Sequence, residues 1–103
     1  MRLDYKQALE RSIADTMVAM ANTDGGVIIA GVKEHNQVPT EWPGLLGQDW
    51  LDTVANHNAV ENTPNVRYEA ATVELPENSG RPIMITRIPQ SLRRPHISRR
   101  SSR

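Results

Sequence analysis

The segment Asn22-Thr23-Asp24-Gly25-Gly26 constrains the fold most strongly, because it joins two stretches of different periodicity. Before it, apolar residues recur every four positions over 8–21, which is typical of one face of a helix. After it, residues 27–33 are mostly β-branched or small, which indicates a buried strand. Asn and Gly tolerate the left-handed backbone found at helix C-termini, so the segment is predicted to be a structural turn. The predicted turn residues are Asn22, Thr23, Gly25 and Gly26.

The paired glycines do not favour a phosphate-binding loop. Such loops place their glycines before a helix, where free N–H groups and the positive end of the helix dipole face the anion. Gly25 and Gly26 instead follow a predicted helix and lie at its negative end. We interpret them as the turn that ends the helix rather than as a nucleotide site.

The remaining elements follow from periodicity and from the positions of Pro and Gly. Besides the strand over 27–33, the predicted elements are strands over 3–6, 66–75 and 82–89, a loop over 34–47, a second helix over 48–61 and a turn over 76–80. The last two strands form a hairpin. The predicted fold class is α+β, with a small mixed β-sheet, two helices on one face and a C-terminal β-hairpin.

Length and composition indicate one small domain. The chain has 103 residues and no cysteine, which excludes disulfides and zinc–thiolate sites and fits a cytoplasmic location. No stretch approaches the roughly 20 apolar residues of a membrane helix, so no membrane contact is expected. We predict a domain over 1–89 followed by a basic, flexible tail over 90–103.

Charge is unevenly distributed although the formal net charge is zero. The charged residues from 81 to 103 are all arginine, whereas residues 1–80 have a net acidic balance. Such asymmetry indicates either a basic arm for an anion such as nucleic acid or a solvated tail. The candidate phosphate-binding residues are Lys6, Lys33, Arg67, Arg81, Arg87, Arg93, Arg94, Arg99 and Arg100.

Several motifs resemble the Schlafen-type, Alba-like domain family. Ala19-Met20-Ala21-Asn22-Thr23-Asp24-Gly25-Gly26 and the following Val27-Ile28-Ile29-Ala30-Gly31-Val32 are similar to the family's A-F-A-N-T-x-G-G and x-L-x-I-G-V. Leu3-Asp4-Tyr5-Lys6 resembles its E-F-K strand, with aspartate in place of glutamate, and Arg94-Pro95-His96-Ile97 resembles its late P-H element. The resemblance covers nearly the whole chain and implies a DNA-binding domain.

A nuclease is the enzymatic alternative, because some Schlafen relatives cleave RNA with three carboxylates. The resemblance assigns Asp4 and Glu34 as weak catalytic candidates, and Glu10 or Glu41 would have to supply the third acid in space. Mg²⁺ or Mn²⁺ would be the cofactor only in that case. No other metal site or cofactor is predicted, since the three histidines fall at unrelated spacings.

We therefore expect a module that binds DNA or RNA, acting in transcriptional regulation or defence, rather than an enzyme. A dimerising protein-interaction domain is a second alternative. In that case an exposed apolar strand edge at 82–88 would add to the sheet of a second copy. A homodimer would also align two basic arms, so dimerisation and nucleic-acid binding are compatible. Trp42 is interpreted as covering the core edge, with base stacking as the alternative.

Overall fold

A computed structural model describes residues 1–10, 12–46, 50–76, 80–92 and 95–98. These residues contain two helices and eight strands. In chain order the elements are β1 (Arg2–Lys6), α1 (Ile13–Ala21), β2 (Gly26–Ala30), β3 (Lys33–His35), β4 (Val38–Glu41), α2 (Trp50–Glu61), β5 (Asn62–Thr63), β6 (Glu69–Val73), β7 (Ile83–Ile88) and β8 (Ile97–Ser98).

Four strands form the central sheet in the order β1-β2-β7-β6. β1 and β2 are parallel, which requires a crossover, and α1 supplies it. β2 with β7 and β7 with β6 are antiparallel, so the sheet is mixed. The predicted α+β fold is confirmed, including the hairpin formed by β6 and β7.

One face of the sheet packs on both helices. Side chains alternate along β2 and β7, and those of Ile28, Met84 and Ile88 point into the core. Helix residues in the same cluster are Ile13, Met17, Met20 and Ala21 of α1 and Val54 of α2. Burial of this apolar surface is the main stabilising term available to a chain without disulfides.

The turn after α1 depends on two close backbone approaches. Gly25 has φ +78°, and a Cβ there would lie 2.6 Å from the Ile88 carbonyl oxygen. A Cβ on Gly26 would lie 2.6 Å from the Arg2 carbonyl oxygen. The Gly25 N–H donates to the Met20 carbonyl at 2.8 Å, which closes the helix. The two glycines therefore let α1 pass directly into the central strand.

Helix α1 begins at Ile13, so the prediction of a helix from residue 8 was wrong. The Lys6 carbonyl accepts the N–H groups of Gly31 and Val32 at 2.8 and 3.1 Å, which fixes the end of β1 at the sheet. The described residues of 7–12 are therefore used to cross from the sheet to the helix layer. The strand predicted over 27–33 likewise ends at Ala30, because Gly31 turns the chain at φ +94°.

The loop predicted over 34–47 was also wrong in part, since it contains most of the β3–β4 hairpin. Asn36 and Gln37 form its two-residue turn with φ of 51° and 69°. Pro39 obscured the strand pattern, but β3 is the one described strand that pairs with β4, and an edge strand tolerates a residue without an N–H.

The exposed edge at 82–88 that would favour a dimer is not found, because β7 is an interior strand between β2 and β6. Part of the predicted tail is anchored to the domain: β8 pairs with β5, and His96 is 3% exposed, although Leu92 is 99% exposed. Packed structure therefore extends beyond residue 89.

Candidate nucleic-acid interface

Three of the predicted phosphate-binding cations have carboxylate partners. The ammonium of Lys6 lies 3.2 Å from the Asp4 carboxylate, and that of Lys33 lies 3.3 Å from Glu41. The Arg87 guanidinium lies 3.7 Å from the Glu69 carboxylate. These pairs are solvent-accessible and contribute about 0–1 kcal/mol each. Their main effect is to lower the positive potential that a phosphate would meet at these residues.

Arg81 is exposed and has no ion pair among the described residues. It lies beside Gly44, whose φ of +78° lets the chain pass directly against the Arg81 backbone. The adjoining cavity of about 380 Å³ is mainly apolar and includes Leu9, Leu45 and Trp50. Arg93, Arg94, Arg99 and Arg100 lie outside the described residues.

The two candidate catalytic carboxylates are engaged in other contacts. Asp4 pairs with Lys6, and a Glu34 carboxylate oxygen accepts the N–H of Gln37 at 2.8 Å, closing the hairpin turn. In the part of the chain that the structure describes, no three His, Cys, Asp or Glu side chains are grouped as a metal site. Neither Glu10 nor Glu41 therefore completes a three-acid cluster with them.

Comparison with known protein families gives a match over the whole chain. Residues 1–103 match the family described as Schlafen, AlbA_2. The chain belongs to this family. No curated protein matches the sequence. Among the residues described, no helix of this Schlafen AlbA_2 chain has the length and apolar character needed to cross a membrane.

Two motifs of the Schlafen AlbA_2 sequence meet in the structure although they are 74 residues apart. The Asn22 amide donates to the His96 carbonyl at 2.9 Å, and the His96 N–H donates to Asn22 Oδ1 at 2.7 Å. We call this reciprocal pair, together with the His96 ring contacts, the Asn22–His96 clamp. It attaches the segment after β7 to the C-terminus of α1. The sequence patterns assign Asn22 only to the turn and His96 only to a motif, and do not indicate that the two residues meet.

The ring of His96 makes two further hydrogen bonds. Nδ1 lies 2.6 Å from the Pro64 carbonyl oxygen, which can only accept, so Nδ1 carries the proton in the neutral ring. Nε2 is then the acceptor and receives the Ser91 hydroxyl at 2.6 Å. The Ser91 N–H also donates to the Ala21 carbonyl at 2.9 Å. Ser91 and His96 are thus both attached to the end of α1.

A cavity of about 370 Å³ lies against this clamp. We call it the Arg67 cavity; it is lined by Asn65, Arg67, Pro89, Gln90, Ser91, Leu92 and His96. Arg67 is exposed and, like Arg81, has no ion pair among the described residues. Sequence analysis named Arg67 as a cation but did not predict the cavity, because the segments that line it are distant in sequence.

The sheet face opposite the helices is apolar and open. An apolar groove there is lined by Ile29, Trp42, Val73, Leu75, Ile83 and Ile85. By register Glu69 lies on the same face, and Glu41 and Glu74 adjoin the groove in sequence. Trp42 is 42% exposed there, so it covers the open face rather than the helix-packed core. Glu41 and Glu69 are paired with Lys33 and Arg87, so these carboxylates and their partners add little net charge to the open face.

Proposed function

We propose that this Schlafen AlbA_2 chain binds nucleic acid, DNA or RNA, through phosphate contacts by its accessible arginines. One observation carries the proposal: Arg67 and Arg81 are exposed without acidic partners among the described residues, whereas Lys6, Lys33 and Arg87 are paired. An unpaired guanidinium presents its full charge and a planar set of donors to a phosphate. Family membership supports the same class of ligand.

Binding of this kind is independent of base sequence and sensitive to salt, because each phosphate contact releases condensed counterions. No described element presents a row of base-reading side chains, so backbone contact is the mode we propose. Arg93, Arg94, Arg99 and Arg100 would add to the same electrostatic attraction. The formal net charge of zero limits affinity, and a dissociation constant of about 10⁻⁴–10⁻⁶ M is expected at physiological salt.

The test is a fluorescence-anisotropy titration of labelled duplex DNA and structured RNA at two salt concentrations. The double variant Arg67→Gln/Arg81→Gln should weaken binding and reduce the slope of log K against log salt by roughly 1.8 for duplex DNA. Its matched control is Lys6→Gln/Lys33→Gln, which removes the same charge from residues that have carboxylate partners. Absence of binding at low salt, or equal losses in both variants, would contradict the proposal.

The same titration with Mg²⁺ or Mn²⁺ examines the endoribonuclease alternative. Binding without chain cleavage is the result that our proposal predicts. If the RNA is cleaved in the presence of metal, and Asp4→Asn or Glu34→Gln abolishes the cleavage, the chain is a metal-dependent nuclease rather than a binding module.

A homodimer is the second candidate function, and β6 is the strand that favours it. Among the strands that the structure describes, β6 pairs only with β7, and four of its five residues are exposed, so its outer edge is open to a second copy. It contains neither Pro nor Lys to discourage such pairing. Light scattering after size exclusion should show a dimer that Ala71→Lys converts to a monomer. A monomer at high concentration would exclude this candidate.

A further inference from the structure

The Arg67 cavity and the cavity at Arg81 each hold one guanidinium and no carboxylate among the described residues, and the Arg67 cavity also adjoins the Asn22–His96 clamp. The cavity at Lys33 contains Glu34 and Glu41, and the groove on the open face has no charged lining residue. The Arg67 cavity combines one guanidinium with the polar side chains of Gln90 and Ser91, and no carboxylate lines it among the described residues.

The part of the cavity formed by Ser91 and His96 is held in place before any ligand arrives. Ser91 is attached through its N–H to Ala21 and through its hydroxyl to His96. His96 is attached in turn to Asn22 and Pro64. A wall with its rotamers fixed by hydrogen bonds loses little conformational entropy on binding, which favours affinity. The clamp therefore prepares this cavity for a ligand.

The chemistry of the lining selects an anion with several acceptor oxygens. Arg67 can donate two parallel N–H bonds to a phosphate, and the exposed Gln90 amide adds a neutral donor. Ser91 offers no proton while its hydroxyl is bound to His96, so Arg67 supplies the charge-assisted contact. The volume of about 370 Å³ suffices for a phosphate with its attached sugar.

We propose that the Arg67 cavity is a phosphate-binding pocket that receives one phosphate group of a nucleic-acid strand. This inference rests on the proposed function, and it names the residue and the cavity that hold the strand. The phosphate is either an internal diester or a terminal monoester, and both present non-bridging oxygens that Arg67 can bind.

The experiment is a ¹H–¹⁵N NMR titration of the full chain with inorganic phosphate, compared with sodium chloride at equal ionic strength. Saturable shifts are expected at the backbone amides of Arg67, Gln90, Ser91 and Leu92. Arg67→Gln should weaken phosphate binding by about tenfold or more, whereas the control Arg87→Gln should not. Equal shifts with chloride, or phosphate shifts that persist unchanged in Arg67→Gln, would overturn the pocket.

Oligonucleotides with and without a 5′-phosphate then distinguish a terminal phosphate from an internal one. Tighter binding of the phosphorylated strand, lost in Arg67→Gln, indicates a strand end, and equal binding lost in the same variant indicates an internal phosphate. Oligonucleotide binding unaffected by Arg67→Gln would overturn the pocket and leave the proposed function intact. Phosphate binding without oligonucleotide binding would overturn the proposed function, and with it the nucleic-acid strand as the ligand, and would leave only an anion pocket at Arg67.

Discussion

The two faces of the central sheet carry similar side chains but differ in what covers them. On the helix-packed face, Ile28 and Met84 are 0% exposed. On the open face, Ile85 and Val73 are 39% and 44% exposed. β7 is apolar on both sides over most of its length, so its sequence alone does not reveal which side forms the core. The position of α1 and α2 makes that choice.

Adjacent residues of β2 give the most direct test of this difference, and the largest expected effect. Ile28→Ala should lower the free energy of unfolding by about 3–4 kcal/mol, because it leaves a cavity beneath the helices. Ile29→Ala removes the same atoms from the open face and should cost about 1 kcal/mol. Urea unfolding of both variants measures the difference. Equal losses would mean that the open face is covered in solution.

The turn that places α1 on the helix-packed face gives the next largest effect. Gly25→Ala should destabilise the fold by about 2–3 kcal/mol, since it combines a left-handed backbone with a 2.6 Å approach to the Ile88 carbonyl. Thermal unfolding with calorimetry measures the loss.

Gly80→Ala is the matched control for that substitution. Gly80 has φ +84°, but no atom lies within 4 Å of the position that its Cβ would take, so only the backbone cost of about 1 kcal/mol applies. If both substitutions lower the free energy of unfolding equally, the close packing of the turn at Gly25 against β7 does not contribute to stability.

The clamp gives a third, smaller effect, confined to one end of the helix-packed face. Asn22→Ala removes two part-buried hydrogen bonds and should cost about 1–3 kcal/mol. Hydrogen exchange should become faster at the His96 amide while the amides of β2 remain protected. Uniformly faster exchange across the sheet would instead assign Asn22 to the global core.

Local signals in the sequence were sufficient to predict the turn after α1, the β6–β7 hairpin and the α+β class. Gly25 ends the helix through its left-handed backbone, which is a local property, whereas Gly26 is required by its close approach to Arg2. The start of α1 could not be read in this way, since it depends on where β1 is held by Gly31 and Val32. The interior position of β7 likewise depends on which strands pair, and periodicity carries no information on pairing partners.

The candidate site was harder to predict than the fold for the same reason. A sequence counts Lys6, Lys33 and Arg87 as cations, but the carboxylates beside them are set by tertiary geometry. The Arg67 cavity requires Asn22 and His96 to meet across 74 residues. This sequence therefore predicts which side chains are positively charged, but it does not predict which of those side chains are accessible to a ligand.

Tyr68 marks the margin of the helix-packed face and gives the smallest expected effect. Burial raises the pKa of its phenol above the usual 10.0, and the nearby Asp52 carboxylate raises it further. Since the folded-state pKa exceeds the unfolded one, this contribution is fully present below about pH 10 and is lost as pH rises through the folded-state pKa. Urea unfolding from about pH 8 to about pH 11 should therefore show a steeper loss of stability in the wild-type chain than in Tyr68→Phe. The control is Tyr5→Phe on the open face, which retains Tyr68 and should lose stability with pH as steeply as the wild-type chain. If Tyr68→Phe loses stability with pH as steeply as Tyr5→Phe does, Tyr68 lies outside the packed margin.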